Sequence, residues 1–485
     1  MNIPNVIFQE PLVIKKGGKY TGNYKSTDPA IPAIWIWTSE PVEITGCIIV
    51  AAGNGIHFGG GGQFNVHHNS IYGIYPSDTS KMKGRAVYSY QPKSAVIENN
   101  YCENTGGGFF LEQTETPATL VRIRYNQVKN IDKRTGANVN GPEHRAGIML
   151  SSVVKVKECE IAWNEIINEA GNSSVEDIIN IFNSSGLADS PIKINNNYLD
   201  GAFPFPLSAD SFSGSGLTVD GDPGKNTLDT VSAYINAYDN QIIRTCNAAA
   251  NIAAGHDVKF YNNTMVSSGK YPDGTQSYRF WGGCCIFDGS KVGASVFTRN
   301  SIKGNTIGYA RPGINVPFKD RQDWVVEPNT PSDIAVKAAD NTSLPNPITK
   351  ATEDAELPKW IAKLAANKIK IGNTENTAVV IPEPKPTEKS FMIGEVLKAT
   401  ITAVDDAQKP VSYKVGTITI TGDALTGVIK DTADEKSFSL KAINAGTSTL
   451  TISLQNLYGE TITKTITVTV TPALDRATGI LINWQ

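Results

Sequence analysis

VHHNSI at residues 66–71 is the first of eight copies of one phrase, in which an apolar residue precedes two variable residues, an Asn, one variable residue and a second apolar residue. The other copies are IENNYC (97–102), IRYNQV (123–128), IAWNEI (161–166), INNNYL (194–199), AYDNQI (237–242), FYNNTM (260–265) and FTRNSI (297–302). Successive Asn residues lie 31, 26, 38, 33, 43, 23 and 37 positions apart. A phrase that recurs once per structural unit, with insertions of unequal length between units, predicts a solenoid.

Each phrase predicts a short strand that ends at a corner, with its apolar residues facing inward. Asn tolerates the left-handed backbone conformation that a corner needs, and its amide can bond the Asn of the next unit, so we expect a ladder of stacked Asn side chains. A second apolar run accompanies the phrases: GIHF (55–58), AVYSY (86–90), FFLEQ (109–113), GIMLSS (147–152), IINIFNSS (178–185), GLTVDGD (216–222), AANIAAG (249–255) and CCIFDGS (284–290).

Two or three strands per rung, each stacked on its counterpart in the next rung, predict an all-β fold that is a right-handed parallel β-helix over residues 1–310. The shortest Asn spacing, 23 residues, corresponds to one rung without an insertion. The longer spacings predict loops, and loops on a rigid scaffold collect binding groups.

Beyond residue 310 the Asn phrase stops. ATEDAELPKWIAKLAANKIK (351–370) has acidic residues first and then apolar residues at helical spacing, so it predicts an amphipathic helix, which we expect to cover the open end of the coil. We assign residues 311–390 to an extended segment, this helix and a Pro-rich linker. About seven short alternating strands over residues 391–473 predict a small immunoglobulin-like β-sandwich, and residues 474–485 are an unassigned tail.

Composition and charge argue against several classes of partner. Lys and Arg total 44 against 47 Asp and Glu, with no basic block, which argues against nucleic-acid binding. No apolar run is long enough to predict a membrane span. The opening MNIPNVIFQEPLVIKKGG does not predict a signal peptide. The six Cys residues have no CxxC spacing and predict buried free thiols rather than disulfides.

Four segments resemble the bacterial right-handed β-helix proteins of the pectate-lyase-like superfamily: GGKYTGNYKSTDPAIPAIWIWTSEPVEITGCII (17–49), IRYNQVKNID (123–132), IAWNEIINEAGNSSVEDIINIFNSSG (161–186) and AAGHDVKFYNNTMVSSG (253–269). AINAGTSTLTISL (442–454) resembles a bacterial immunoglobulin-like domain. The resemblance implies a secreted or cell-surface protein or, alternatively, a virion-associated one. The superfamily includes lyases, hydrolases, epimerases, phage tailspikes and non-catalytic surface proteins, so the resemblance does not decide the activity.

Outward side chains from successive rungs would line a groove. Aromatic and acidic groups there are what a sugar-binding surface needs, and the candidates for substrate binding are Tyr88, Tyr90, Glu112, Asn180, Trp281 and His256. The wider set of outward positions in the second apolar runs adds His57, Asn183, Asp222, Asn251 and Asp288. Tyr88, Tyr90 and Trp281 could instead pack against loops.

Three short stretches place ionisable groups beside strands. GPEHRAG (141–147) precedes one strand, VEDIIN (175–180) lies at the corresponding place one rung later, and AAGHD (253–257) follows another run. The candidates for catalysis are Glu176, Asp177, His144, Arg145 and Asp220, with Glu143 beside them. Asp residues beside tight turns could instead cap backbone groups. DGD (220–222) loosely resembles a calcium turn, which makes Asp220 and Asp222 candidate calcium ligands; no other cofactor is indicated.

Two functions fit this pattern. One is an extracellular enzyme that binds a polysaccharide and cleaves it, either as a lyase, by removing the proton beside a uronate carboxylate, or as a glycoside hydrolase with two carboxylates. The alternative is a non-catalytic cell-surface or virion protein that uses the coil as a stalk or as a platform for a surface glycan. The sequence does not decide between them.

Overall fold

A computed structural model describes residues 3–112, 117–136, 141, 144–209, 213–222, 224, 226–276, 281–326, 341–373, 391–392, 396–400, 413–430, 437–456 and 461–471. The chain forms two compact units, the first built mainly from residues 3–360 and the second mainly from residues 376–485.

The first unit consists of three long parallel sheets, whose strands are numbered here in chain order. Sheet 1 contains β1 (Leu12–Ile14), β4 (Ile34–Ile36), β7 (Ile56–Phe58), β10 (Arg85–Tyr90), β13 (Gly107–Glu112), β16 (Ala146–Ser151), β19 (Asp177–Phe182), β22 (Ser215–Asp220), β25 (Ala248–Ile252), β28 (Gly282–Ile286) and β33 (Trp324–Val326). Sheet 2 contains β2 (Gly18–Tyr20), β5 (Val42–Thr45), β8 (Gln63–His67), β11 (Ser94–Glu98), β14 (Leu120–Arg124), β17 (Cys159–Ala162), β20 (Ile192–Asn195), β23 (Ala233–Tyr238), β26 (His256–Tyr261) and β29 (Ser301–Ile302). Sheet 3 contains β3 (Asn23–Ser26), β6 (Ile48–Ala51), β9 (Ser70–Gly73), β12 (Tyr101–Glu103), β15 (Gln127–Lys129), β18 (Glu165–Ile167), β21 (Tyr198–Ala202), β24 (Gln241–Thr245), β27 (Thr264–Ser267), β30 (Thr306–Tyr309) and β34 (Thr342–Ser343).

Every third strand in the chain joins the same sheet, and each pairs in parallel with its counterpart one rung away. The fold is therefore all-β, a right-handed parallel β-helix, as the repeated phrase predicts. A short pair, β31 (Asn315–Val316) and β32 (Arg321–Gln322), lies outside the three sheets. The stacked strands continue to β34, so the coil extends past the predicted boundary at residue 310.

The core of the coil is a column of apolar side chains, because alternate residues of each strand point inward. In sheet 1 one such line of paired residues, all buried, is Ile56, Val87, Phe109, Ile148, Ile179, Leu217, Ala250 and Cys284. All six Cys residues are buried free thiols, which confirms the prediction.

The Asn ladder lies at the corner between sheets 2 and 3. It consists of Asn69, Asn100, Asn126, Asn164, Asn197, Asn240, Asn263, Asn305 and Asn341. From Asn100 onward each Oδ1 accepts both the backbone N–H and the side-chain Nδ2–H of the preceding Asn; in the pair Asn126 and Asn164 these distances are 3.1 and 2.9 Å. The ladder therefore ties each rung from Asn69 to Asn341 to the next.

Two details of the predicted ladder are wrong. From Asn69 to Asn305 the left-handed conformation belongs to the residue before the ladder Asn, for example Trp163 with φ 57°, and not to the Asn itself. Asn300 is outside the ladder: its amide bonds the backbone of Val258 and Gly255, and its phrase leads into β29 of sheet 2. Asn305 takes the ladder position of that rung.

The predicted helix exists as two short helices, α1 (Lys350–Asp354) and α2 (Glu356–Ala366), but the end-cap prediction is wrong for them. Trp360 is fully buried and stacks on Tyr198 of β21, with ring centroids 5.9 Å apart. Its Nε1–H donates to the carboxylate of Glu165 in β18 at 2.8 Å. The helices therefore lie along the outer side of sheet 3, because their apolar face meets aromatic groups in the middle of the coil.

The second unit contains seven described strands in two sheets. One has β35 (Phe391–Met392), β41 (Thr461–Thr471), β40 (Gly446–Asn456) and β37 (Tyr413–Thr421) in that order, and the other has β36 (Val396–Thr400), β39 (Ser437–Ala442) and β38 (Leu425–Lys430). All pairs are antiparallel except β35 with β41. The predicted Pro-rich linker at 381–390 and the tail at 474–485 lie outside the described residues.

Candidate functional site

The long loops of the coil border one face. The corner between sheets 2 and 3 is a tight turn in almost every rung, because the Asn ladder occupies it. Long segments instead connect sheet 3 to sheet 1, at 74–84, 130–145, 203–214 and 268–281. Others connect sheet 1 to sheet 2, at 221–232 and 287–300. Both sets flank sheet 1, so its outer face is the floor of a groove with loops on either side.

The outer face of sheet 3 is covered by other parts of the chain. Ile3, Val6 and Phe8 pack against a buried cluster on β6 and β9. Further along, Trp360 covers β18 and β21, and Gln241 of β24 donates to the Glu356 carboxylate at 3.0 Å. This face is therefore unavailable to a large ligand.

The outer face of sheet 2 carries charged side chains that pair across rungs. Lys19 lies 3.0 Å from Glu43, and Arg124 bridges the carboxylates of Glu98 and Glu160 at 2.7 and 3.1 Å. Such partly exposed ion pairs are typical of a surface that faces solvent. Sheet 1 is thus the face on which a site would lie.

The N-terminal half of sheet 1 presents five aromatic rings outward, which we name the aromatic floor: Trp37, Trp35, His57, Tyr88 and Phe110. Their successive ring centroids are 5.3, 5.7, 4.7 and 5.6 Å apart. Trp35, His57, Tyr88 and Phe110 are paired in register on β4, β7, β10 and β13, so the rings follow the axis of the coil at one per rung. Burial lowers the pKa of His57, so its ring is neutral at pH 7.

Polar groups border this floor. The Tyr88 hydroxyl donates to Glu112 at 2.6 Å, and burial together with that bond raises the pKa of Tyr88. Tyr90 pairs in register with Glu112 and lies at the same edge. The Arg85 guanidinium lies over the Phe110 ring, 4.2 Å from its centroid. The structure thus brings together three of the predicted substrate-binding residues, Tyr88, Tyr90 and Glu112.

The C-terminal half of the same face is polar and buried. Asp177 opens β19, and its two carboxylate oxygens accept from Thr218 and Asn180, both at 2.7 Å. The amide of Asn251 reaches Thr218 at 3.4 Å from the next rung. Burial and the neighbouring charge of Glu176 raise the pKa of Asp177 to about 7.

Glu176, the residue before Asp177, has the opposite environment. Its carboxylate accepts from Lys133 at 2.8 Å and Ser213 at 2.7 Å, and His144 lies 3.6 Å away. Burial opposes ionisation, but the bonds from His144 and Lys133 outweigh it and lower the pKa of Glu176 to about 2. The same bond with Glu176 raises the pKa of His144. Two neighbouring carboxyl groups therefore differ in protonation at neutral pH, because one faces cations and the other faces neutral groups.

The remaining predicted catalytic residues lie near this pair. Arg145 is buried, and its carbonyl accepts the Glu176 backbone N–H at 2.9 Å. Asp220 ends β22, and its negative charge contributes to the raised pKa of Asp177. Glu143 lies outside the described residues.

The two candidate calcium ligands are each held by protein donors. Asp220 accepts from the Ser290 hydroxyl at 2.9 Å and the Gly221 N–H at 2.7 Å, whereas Asp222 accepts from the amide of Asn183 at 3.0 Å. Among the residues that the structure describes, no group of three or more His, Cys, Asp or Glu side chains could hold a metal ion.

Two predicted substrate-binding residues lie apart from the aromatic floor. Trp281 packs edge-on against Phe287, with centroids 4.6 Å apart, at the corner before β28. His256 begins β26 at the corner between sheets 1 and 2, where it contacts Asp257 rather than the Asp177 pair. Asn180 does reach the groove, but as a donor to Asp177.

The sequence analysis overlooked Trp35, Trp37, Phe110, Lys133 and Thr218. The first two stand at alternate positions in AIWIW (33–37), and that period of two places both on one face of a strand. Lys133 and Thr218 have no comparable signal, because only the stacking of rungs brings them to Glu176 and Asp177.

Comparison with known proteins supports the fold and no particular activity. Residues 17–144 match the family model for the right handed beta helix region. No curated protein and no solved structure matches the chain. The sheets and this match together define the class as a right-handed β-helix protein. Within the described residues, no helix has the length and apolar character needed to cross a membrane.

Proposed function

We propose that the protein binds an extended glycan in the groove over sheet 1, with sugar rings stacked on the aromatic floor. The observation that carries this proposal is the row of rings from Trp35 to Phe110, spaced 4.7–5.7 Å apart along the coil, with Trp37 beside Trp35 on the same rung. Sugar rings have apolar faces that pack on aromatic rings, while their hydroxyl groups bond carboxylates and guanidinium groups such as Glu112 and Arg85. A regular row with polar edges fits a repeating chain of sugars.

The test is binding of a panel of neutral and uronate-containing polysaccharides, measured by affinity electrophoresis and then by calorimetry. Trp37 is 53% exposed and Ile7, in the N-terminal segment that covers sheet 3, is 91% exposed, so Trp37→Ala and the control Ile7→Ala are both surface changes that should not unfold the coil. An aromatic contact contributes about 1 kcal/mol beyond its buried area, so Trp37→Ala should weaken binding about fivefold or more. Equal affinity of both variants and the wild type would refute the aromatic floor as the binding surface.

A second function, cleavage of the bound glycan, is favoured by the Glu176 and Asp177 pair. Neighbouring carboxyl groups whose pKa values are pushed apart are the usual basis of acid and base roles in one site. Asp177, protonated below about pH 7, would give a proton to the leaving oxygen, and ionised Glu176 would act as the base or stabilise positive charge. Activity should then fall as pH rises through about 7, because Asp177 loses its proton there.

Product analysis distinguishes the possible outcomes. Asp177→Asn should abolish formation of new reducing ends, whereas Asp189→Asn, an exposed change outside the groove, should not. Absorbance from an unsaturated uronate would identify a lyase, with Glu176 as the proton acceptor, and reducing ends alone would identify a hydrolase. Binding without any product would leave the alternative, a non-catalytic surface or virion protein that recognises glycans.

We expect an extracellular location, because the polysaccharides of cell walls, capsules and extracellular matrices lie outside cells. The second unit, with sheets of four and three strands, supports an immunoglobulin-like sandwich that would space the coil from a surface. Location of the full chain by fractionation of the producing cells tests this point.

A further inference from the structure

A second cavity lies at the corner between sheets 1 and 2, away from the outer face of sheet 1. Its volume is about 310 Å³, at the lower end of the range for small-molecule sites, so it would hold a ligand about the size of one sugar. The rim carries Lys155, Asp229 and Arg299, and the interior is lined by Tyr234 and His256.

The stacking of rungs builds this cavity. Ser185, Ala233, His256 and Thr298 occupy equivalent positions in successive rungs, so His256 is the one large side chain in a line of small ones. The next residues along the chain are Gly186, Tyr234, Asp257 and Arg299. Gly186 has no room for a side chain, because a Cβ there would lie 2.6 Å from the Ile192 backbone nitrogen. Gly186, Tyr234 and Arg299 all line the cavity.

Three bulky or charged residues of this corner have left-handed backbone conformations: Lys155 with φ 51°, Tyr234 with φ 52° and Arg299 with φ 55°. The neighbouring Asp257 has φ 55° as well. The same conformation recurs at the corners between sheets 2 and 3, for example at Trp163, so it is the turn geometry of the coil and not a feature of this cavity alone.

Internal contacts fix the interior of the cavity. His256 is buried, with Nδ1 2.7 Å from Asp257 and Nε2 2.9 Å from the carbonyl of Leu228. Tyr234 packs edge-on against the His256 ring at 5.2 Å. Arg299 holds Asp257 through two nitrogens at 3.0 and 2.7 Å. A ligand would therefore meet a preformed interior.

The rim pair is loosely held by comparison. Lys155 Nζ lies 3.1 Å from the Asp229 carboxylate, and these side chains are 53% and 82% exposed. Exposed pairs contribute about 0–1 kcal/mol, so Lys155 can exchange Asp229 for another carboxylate at little cost. Leu228 and Leu187 supply an apolar wall on the same side.

We propose that this corner cavity is a binding site for a single acidic sugar unit, whose ring lies against Leu187 and Leu228 and whose carboxylate pairs with Lys155. An apolar wall facing polar side chains matches the two sides of a sugar ring, and Lys155 selects the acid by exchanging the Asp229 carboxylate for that of the sugar. The site is independent of the groove over sheet 1.

Saturation-transfer NMR with D-glucuronate and D-glucose as probes tests this proposal, because the two sugars differ only at the carboxylate carbon. The wild type should bind glucuronate up to about fivefold more tightly than glucose, because an exposed ion pair contributes up to about 1 kcal/mol. Lys155→Gln should remove that preference, and Lys259→Gln, an exposed change on sheet 2, should keep it. No preference in the wild type, or an unchanged preference in Lys155→Gln, would overturn the proposal.

The Trp37→Ala variant separates this site from the groove. It should leave the glucuronate preference unchanged while weakening polysaccharide binding. Loss of the preference in Trp37→Ala would mean that the groove binds the monosaccharide, which would also overturn the proposed corner site. Failure of polysaccharide binding in the wild type, with the glucuronate preference intact, would refute only the proposed function.

Discussion

Replacement of Asn164 by Ala tests whether the Asn ladder holds the rungs of the coil together. Asn164 is fully buried, and its side chain makes four hydrogen bonds. Its Oδ1 accepts from the backbone and side chain of Asn126 at 3.1 and 2.9 Å, and its Nδ2 donates to Ile123 and Asn197 at 2.8 and 2.9 Å. The Ala variant loses all four bonds.

The cost can be estimated from the groups that lose a partner. The Asn126 backbone N–H donates to Asn164 Oδ1, so it is stranded in the variant, at about 1–3 kcal/mol. The Asn126 amide keeps its bond to Ile97, and Asn197 still accepts the backbone N–H of residue 164. With about 1 kcal/mol for the other bonds that are not replaced, we expect a loss of about 2–4 kcal/mol in the free energy of unfolding.

The assay is urea unfolding followed by tryptophan fluorescence. All tryptophans except Trp484 lie between residues 35 and 360, so the signal reports the coil. Asn172→Ala, an exposed change in a loop of the same rung, is the control and should lie within about 0.5 kcal/mol of the wild type.

Asn164→Asp tests whether the hydrogen bonds of Asn164 or only its side-chain volume stabilise the coil. The change preserves volume but places an oxygen opposite the Asn197 Oδ1 and the Ile123 carbonyl, so at pH 7 it should destabilise the coil at least as much as Ala. Wild-type stability in the Asp variant, or an Ala variant no weaker than the Asn172→Ala control, would refute the reasoning.

Three further changes test other parts of the coil. Burial raises the pKa of Glu353 from 4.5 to about 7, so the folded state favours the protonated carboxyl group. The stability that this preference contributes is fully present below pH 4.5 and is lost as pH rises through about 7. In urea unfolding at a series of pH values, Glu353→Gln should therefore remove up to about 3 kcal/mol of the pH dependence of the free energy of unfolding. Trp360→Ala should cost about 3–5 kcal/mol and make α2 sensitive to limited proteolysis, because the buried ring fixes the helix to sheet 3. Gly108→Ala would place a Cβ 2.0 Å from the Gly147 carbonyl oxygen and should cost at least about 2 kcal/mol by thermal melting, whereas Gly59→Ala, with no contact closer than 3.9 Å, should not.

The repeated phrase made the coil predictable because its chemistry is local. An apolar strand residue, a left-handed corner residue and a ladder Asn follow one another within six positions, and every rung needs them. IKGNTI (302–307) fits the same pattern and contains the true ladder residue Asn305, with Gly304 in the left-handed position at φ 70°. FTRNSI (297–302) overlaps this phrase and fits the same pattern, so the pattern alone does not distinguish Asn300 from Asn305 as the ladder residue.

The site could be predicted only in part, because rung stacking decides which distant residues meet. GPEHRAG (141–147) and VEDIIN (175–180) each stand just before a strand, so their correspondence one rung apart is visible from the sequence, and His144 and Glu176 do meet, at 3.6 Å. The path of α2 along sheet 3 is not visible, because an amphipathic helix does not reveal which surface its apolar face will cover. Trp360 and Glu165 are 195 positions apart, and only the structure shows that they bond.

The groove over sheet 1 is aromatic at its N-terminal end and polar further along, and this sets the length of ligand that can contact both parts. The aromatic floor ends at Phe110 on β13, whereas Asp177 stands on β19, two rungs further along. From Trp35 on β4 to Asp177 there are five steps between neighbouring strands, or about 24 Å at about 4.8 Å per step. A mono- or disaccharide could not reach from Trp35 to the carboxyl pair, so only a longer chain can contact the whole floor and Asp177 at once. If binding energy from the floor assists chemistry at Asp177, cleavage should require a chain of several sugars, and shortening the substrate should lower kcat as well as raise KM, because the remote contacts position the bond to be broken.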